Sequence, residues 1–145
     1  MKNKVVIVAF IVCVLVGVLS FAAVPSQERT VTQGVYTNEQ ADRGMQVIEE
    51  FGCRNCHGGQ FEGGPEEEPP LVGEQWVTAW AGKKLDELAE KITTMPANRE
   101  AAYHVKPAMA PDVVALILRA NGYPAGNAEL PADLETLRRI TIVAP

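Results

Sequence analysis

Histidine and cysteine are scarce in this chain: two and three among 145 residues. Three of those five fall together as Cys53, Cys56 and His57, which leaves only Cys13 and His104 for other roles. A zinc site would want further cysteine or histidine ligands, and Cys13 lies inside an apolar N-terminal run. A thioredoxin-like redox pair wants a βαβ setting, and none surrounds these cysteines. Basic charge is also short, with 13 Lys and Arg against 18 Asp and Glu and a formal net charge of −5. A chain with that balance is not built for nucleic acid, and its field steers it towards basic patches on partners. No internal repeat is present. The length suits one modest domain once an N-terminal segment is set aside.

What the chain does have is Cys53-Arg54-Asn55-Cys56-His57. The pattern C-x-x-C-H is the attachment signature of c-type haem. Two thiols separated by two residues on one turn can each form a thioether to a haem vinyl group. The adjacent His57 can then offer its imidazole to the iron as proximal ligand. With both cysteines in thioethers, no disulfide framework is implied.

The N-terminus sets the compartment. Lys2 and Lys4 precede Val5 to Val24, which carries no charge. A basic start before an apolar run is the form of a secretory signal. Ser20-Phe21-Ala22 is the best cleavage site, so residues 1–22 would be removed and the mature chain would start near Ala23. The same run of 20 residues, at about 1.5 Å each, reaches about 30 Å and could stay as a membrane anchor over residues 5–24. Both readings put the domain in the periplasm or on the outer face of the cytoplasmic membrane. Cleavage would leave eleven basic against eighteen acidic residues, a formal charge of −7.

Residues 23–35 lack periodicity and read as a linker. Thr37-Asn38-Glu39-Gln40 matches a capping box. A helix should follow to about Gly52, with Gly44 marking a close helix crossing. Residues 58–70, rich in glycine, proline and glutamate, read as a loop. Trp76 and Trp80 would share one face of a short helix ending near Gly82, and a second helix should run from about Leu85 to Thr93. Met95 precedes Pro96 in an extended segment 38 residues beyond His57, which suits a second axial ligand. The competing reading is a core methionine. Residues 97–110 read as a surface connection carrying Tyr103, His104 and Met109. Pro111 should open a strongly apolar helix ending at Asn121-Gly122, read as an αL cap. Leu130, Leu134, Leu137 and Ile140 then predict a short helix packing back on the domain.

The ordered set resembles a small class I cytochrome c. It comprises a capped helix with Gly44 and Phe51, Cys53-x-x-Cys56-His57, Pro69-x-Leu71-x-Gly73, Met95-Pro96 and an apolar final helix. The resemblance covers Tyr36 to Gly122, so it implies a cytochrome domain over 36–122 and a C-terminal extension over 123–145. The implied fold is all-α, with helices packed around one covalent haem and preceded by the signal or anchor helix. It implies Cys53 and Cys56 as thioether residues, His57 and Met95 as axial ligands, and the Pro69 carbonyl as hydrogen-bond acceptor for the His57 imidazole. The first and last helices would cross at Gly44. One position departs: Leu116 stands where such cytochromes often carry an aromatic residue mid-way along the last helix. Pocket lining would then come from Trp76, Trp80, Phe61 or Tyr103. Residues Ala120-Asn121-Gly122-Tyr123-Pro124-Ala125-Gly126 resemble cytochrome modules found with quinoprotein dehydrogenases.

The function this implies is a respiratory-chain electron carrier with one haem c, handing single electrons between redox proteins such as a quinoprotein dehydrogenase and a terminal oxidase. An alternative with the same chemistry is a fixed haem subunit of a membrane respiratory or dehydrogenase complex. The enzyme or sensor alternative needs an open iron position, with His104 as its acid–base group. For the distal ligand, Met109 and His104 stand beside Met95 as candidates.

Overall fold

A helix that is apolar on nearly every side has to run through the middle of its domain, and Ala110–Ala120 does so. Ala110, Pro111 and Val113 to Leu118 are all buried. In the computed structural model, which describes residues 28–65, 68–97 and 99–145, the element order is as follows. A two-residue strand β1 (Arg29–Thr30) and a 3-10 turn (Val31–Gln33) lead into α1 (Asn38–Phe51) and the single turn α2 (Arg54–His57). Helices α3 (Gly73–Trp80) and α4 (Leu85–Ile92) follow, then a 3-10 turn (Ala101–Tyr103), the central α5 (Ala110–Ala120), α6 (Leu134–Leu137) and β2 (Ile140–Thr141). The chain is mostly helical. The apolar run read as signal or anchor lies outside the described residues. Among the described residues no helix is long and apolar enough to cross a membrane.

The frame is the crossing of α1 and α5. A Cβ on Gly44 would collide with the Asp112 carbonyl and come within 2.9 Å of Leu116 Cβ. Glycine therefore lets the two backbones touch, and Leu116 fills the crossing beside it. Arg43 sits one residue earlier and forks across the seam, donating to Asp112 (3.1 and 3.2 Å) and to Glu129 (2.7 and 3.0 Å).

The start of α1 departs from the capping box in one half. Thr37 Oγ1 accepts from the Gln40 N–H at 3.1 Å. The Gln40 side chain does not turn back to the cap. It is 1% exposed, donates to the Leu130 carbonyl at 2.9 Å and accepts from the Leu130 N–H at 2.8 Å. A buried amide that pairs with both backbone groups of one residue satisfies two buried polar groups at once. At the other end Gly52 takes φ 65° and ends the helix, as αL glycines do. The final cap matches the sequence reading: Gly122, at φ 81°, makes the left-handed turn, directly after Asn121 at φ −92°.

The linker reading of residues 23–35 is corrected over its described part, 28–35. Arg29 and Thr30 pair in parallel with Ile140 and Thr141. Val31 and Val35 are buried, as is Tyr36 just beyond them. Period-based reading misses such a stretch because a two-residue strand has no period to show. The C-terminal extension is locked to the same end. Tyr36 Oη donates to the Tyr123 carbonyl at 2.6 Å, and Tyr123 Oη to the Val143 carbonyl at 2.6 Å. Ile142 exchanges backbone hydrogen bonds with Gly82 and Lys83 at 2.8 and 2.9 Å. Leu130, Leu137, Ile140 and Ile142 are all buried, though only Leu134–Leu137 is helical.

Candidate functional site

The C-x-x-C-H residues hang directly from the frame. The Cys53 N–H bonds to Ile48 at the end of α1 (3.1 Å), and the N–H groups of Cys56 and His57 both bond back to the Cys53 carbonyl (3.3 and 3.0 Å). The left-handed Gly52 turns the chain so that one further helical turn, α2, can begin at once. Cys53 and Cys56 are free thiols, both half-buried. Burial pushes the Cys53 thiol up from its ordinary value, and its neighbours Cys56 and Glu49 act in the same direction.

His57 Nδ1 lies 2.8 Å from the Pro69 carbonyl oxygen. A carbonyl can only accept, so Nδ1 carries a proton, and in the neutral ring Nε2 keeps its lone pair. That is the tautomer a metal-ligating imidazole needs when it binds through Nε2.

The loop that brings Pro69 there is built mostly from backbone. Gly63 N–H bonds to the His57 carbonyl (2.9 Å), Gly64 N–H to Glu68 (3.1 Å) and Leu71 N–H to Phe61 (2.9 Å). A Cβ on Gly64 would strike the Cys56 carbonyl, so the loop doubles back against the motif itself. Phe61 has φ 64°, the one non-glycine left-handed residue among those described. That conformation costs about 1–2 kcal/mol. It is offset by a buried ring (8% exposed) with the Arg54 guanidinium 5.3 Å from its centroid. Arg54 also reaches Glu49 at 3.1 Å and Met45 Sδ at 3.2 Å, so this variable residue of the motif staples α1 to the loop.

The three distal candidates differ in what else they do. Met109 is half-buried on the apolar core, and its carbonyl accepts from Asp112 and Val113 at the start of α5. His104 Nε2 lies 3.0 Å from the Arg99 carbonyl of its own loop. Met95 is half-buried and, among the described residues, is not one of the side chains packed on that core. Its backbone closes the loop, with Met95 N–H to Ile92 at 3.0 Å and Val105 N–H to Met95 at 2.9 Å, and the Met95–Pro96 peptide is cis. Among the described residues no hydrogen bond or ion pair joins Met95 to the Cys53–His57 turn.

Of the aromatic residues named from the sequence, Trp76 is 2% exposed. It stacks on Trp80 with centroids 6.5 Å apart and meets Tyr123 edge-on at 6.4 Å. Tyr103 is 62% exposed and lines nothing buried among the described residues. Two buried donors, Trp76 Nε1 and Arg54 Nε, have no acceptor among the described residues. Buried donors seldom go unmatched, and an anionic group such as a haem propionate has the chemistry to match them. Among the described residues no three His, Cys, Asp or Glu side chains gather as a metal-holding cluster. The sequence reading missed Asn121 as a clamp and Tyr123 as a tie. Their signal, the run Asn121-Gly122-Tyr123-Pro124, reads locally as turn chemistry. Compared with protein-family models, with curated proteins and with solved structures, the chain matches none.

Proposed function

We propose that this chain is a monohaem c-type cytochrome that carries single electrons on the outer side of the cytoplasmic membrane. The observation that carries the reading is the His57 Nδ1–Pro69 carbonyl contact of 2.8 Å, beside two free thiols on the same turn. Cys53 and Cys56 would hold the haem by thioethers, and His57 would give its bare Nε2 to the iron. Bound in this way, haem supplies a one-electron ferrous–ferric couple. Pro69 then keeps the imidazole in one tautomer and one orientation while raising its basicity. Met95 would be the distal ligand of this reading. With His57 and Met95 both ligating, no iron position is left for substrate, which favours a carrier over an enzyme.

The test is the holoprotein made in a host that attaches haem. The expected result is a covalent adduct of one haem on the peptide containing Cys53 and Cys56. A weak ferric band at the red end of the spectrum should mark thioether ligation. Met95→Ala should lose that band, lower the potential and let the ferrous protein bind carbon monoxide. Protein that carries no covalent haem would overturn the reading. A wild type that lacks the band and binds carbon monoxide would turn it towards an enzyme or sensor. An unchanged Met95→Ala spectrum would move the ligand to Met109 or His104.

A further inference from the structure

We propose that Asn121 is a positioning residue that aims the Pro69 carbonyl at His57 and thereby sets the basicity of that imidazole. The inference rests on the haem reading above. Its starting point is a gap in the backbone. Pro69 and Pro70 are consecutive and neither has an N–H, so neither can anchor itself by donating. The carbonyl that meets His57 is placed by whatever holds the chain on either side. Upstream, the Gly64 N–H bonds to the Glu68 carbonyl (3.1 Å). Downstream, among the described residues, there are three bonds, and Asn121 makes two of them. Its Nδ2 donates to the Leu71 carbonyl at 2.9 Å, and its Oδ1 accepts from the Gly73 N–H at 3.0 Å. The third is the Leu71 N–H on Phe61 (2.9 Å).

The amide is fully specified. The second Nδ2 proton goes to the Ile117 carbonyl at 2.8 Å, one turn back in α5. Flipping the amide would set its oxygen against two carbonyls and its nitrogen against an N–H, so the network admits only one orientation. Asn121 therefore refers the Pro69 segment to α5, just as Gly52 and Cys53 refer His57 to α1. Both helices meet at Gly44. The His57–Pro69 contact is thus tied to both helices of the crossing as well as to the backbone bonds of the loop between them. Aspartate at 121 would keep the acceptor for Gly73 but face the Leu71 and Ile117 carbonyls with no donor.

The experiment follows the His57 Nδ1 proton by NMR in the reduced holoprotein, together with the reduction potential, for wild type, Asn121→Ala and Asn121→Asp. Gln40→Ala serves as a control that loosens the other end of α1. In both Asn121 variants the His57 proton should exchange with solvent about tenfold faster, the size of effect expected for one lost hydrogen bond. The potential should rise, because a weaker bond to Pro69 makes the imidazole a poorer donor to ferric iron. Gln40→Ala should lose stability and leave both readings unchanged. If Asn121→Ala fails to fold, Asn121→Asp, close to isosteric, decides. Haem-loaded variants with wild-type exchange and potential would overturn the proposal, as would a Gln40→Ala that moves both as far. A wild type that carries no haem would instead overturn the functional reading beneath it, and mass and spectrum report that separately.

Discussion

The α1–α5 crossing and the loop over residues 58–73 both hold two pieces of chain at a fixed separation, and they do so by opposite means. At the crossing, separation is set by volume: Gly44 admits the Asp112 backbone and Leu116, and buried aliphatic residues surround the contact. In the loop there is little to pack. Phe61 is buried, while Glu62, Pro65 and Pro69 are exposed, and separation is set by backbone hydrogen bonds and left-handed turns. The difference follows from what each region must present. A crossing has only to exclude water, which close packing does well. The loop has to leave a carbonyl pointed at an imidazole, and a polar group in use cannot be buried under apolar side chains.

That comparison can be broken at its stronger side first. Gly44→Val should cost about 3 kcal/mol, the upper range for forcing extra carbons into a packed contact. The colliding atom is a backbone carbonyl, which no rotamer change moves. Urea unfolding measures this, and a near-wild-type midpoint would show that volume does not set the crossing. Gly64→Ala sharpens the other side. Its methyl meets the Cys56 carbonyl, and the loop should shift at a cost of about 1–2 kcal/mol while the helices remain. The His57 Nδ1 proton should lose protection in this variant although circular dichroism is unchanged. Global unfolding by Gly64→Ala would mean that frame and loop form one unit.

The smallest effect concerns acid. Arg43 holds the Glu129 carboxyl below its ordinary value of 4.5 through a side-chain hydrogen bond. A depressed carboxylate contributes stability above its unfolded pKa and loses it as pH falls through the folded value. Stability should therefore fall on acidification below pH 4.5. Arg43→Gln should flatten that part of the profile while leaving the neutral side less stable. Because Glu129 is exposed, the change should be small. Identical pH profiles for variant and wild type would remove Arg43 from the acid response and leave the seam to Gly44 alone.

Much of the helical frame was legible in the chain. Gly52, Pro111 and the Trp76–Trp80 pair mark element ends and faces through rules that act within one turn. The C-x-x-C-H motif was legible for the same reason, since its chemistry needs neighbours in sequence. Less legible were Gln40, whose local pattern offered a capping box, and residues 28–35, whose local pattern offered nothing. Gln40 found a better partner in Leu130, and Val31 and Val35 found burial. Each outcome depends on where a distant segment lies.

By itself the sequence determined the helices, the glycine at which two of them touch and the turn that carries Cys53, Cys56 and His57. All are consequences of spacing over a few residues. Tertiary structure alone decided that the connector is packed over residues 28–35, that Met109 packs on the core, and that Asn121 holds the chain beyond Pro69. Those depend on contacts such as Tyr36 to Tyr123 and Gln40 to Leu130, 87 and 90 residues apart. No local period encodes such pairs, because they exist only once α1 has crossed α5 and brought Tyr36 and Gln40 beside Tyr123 and Leu130.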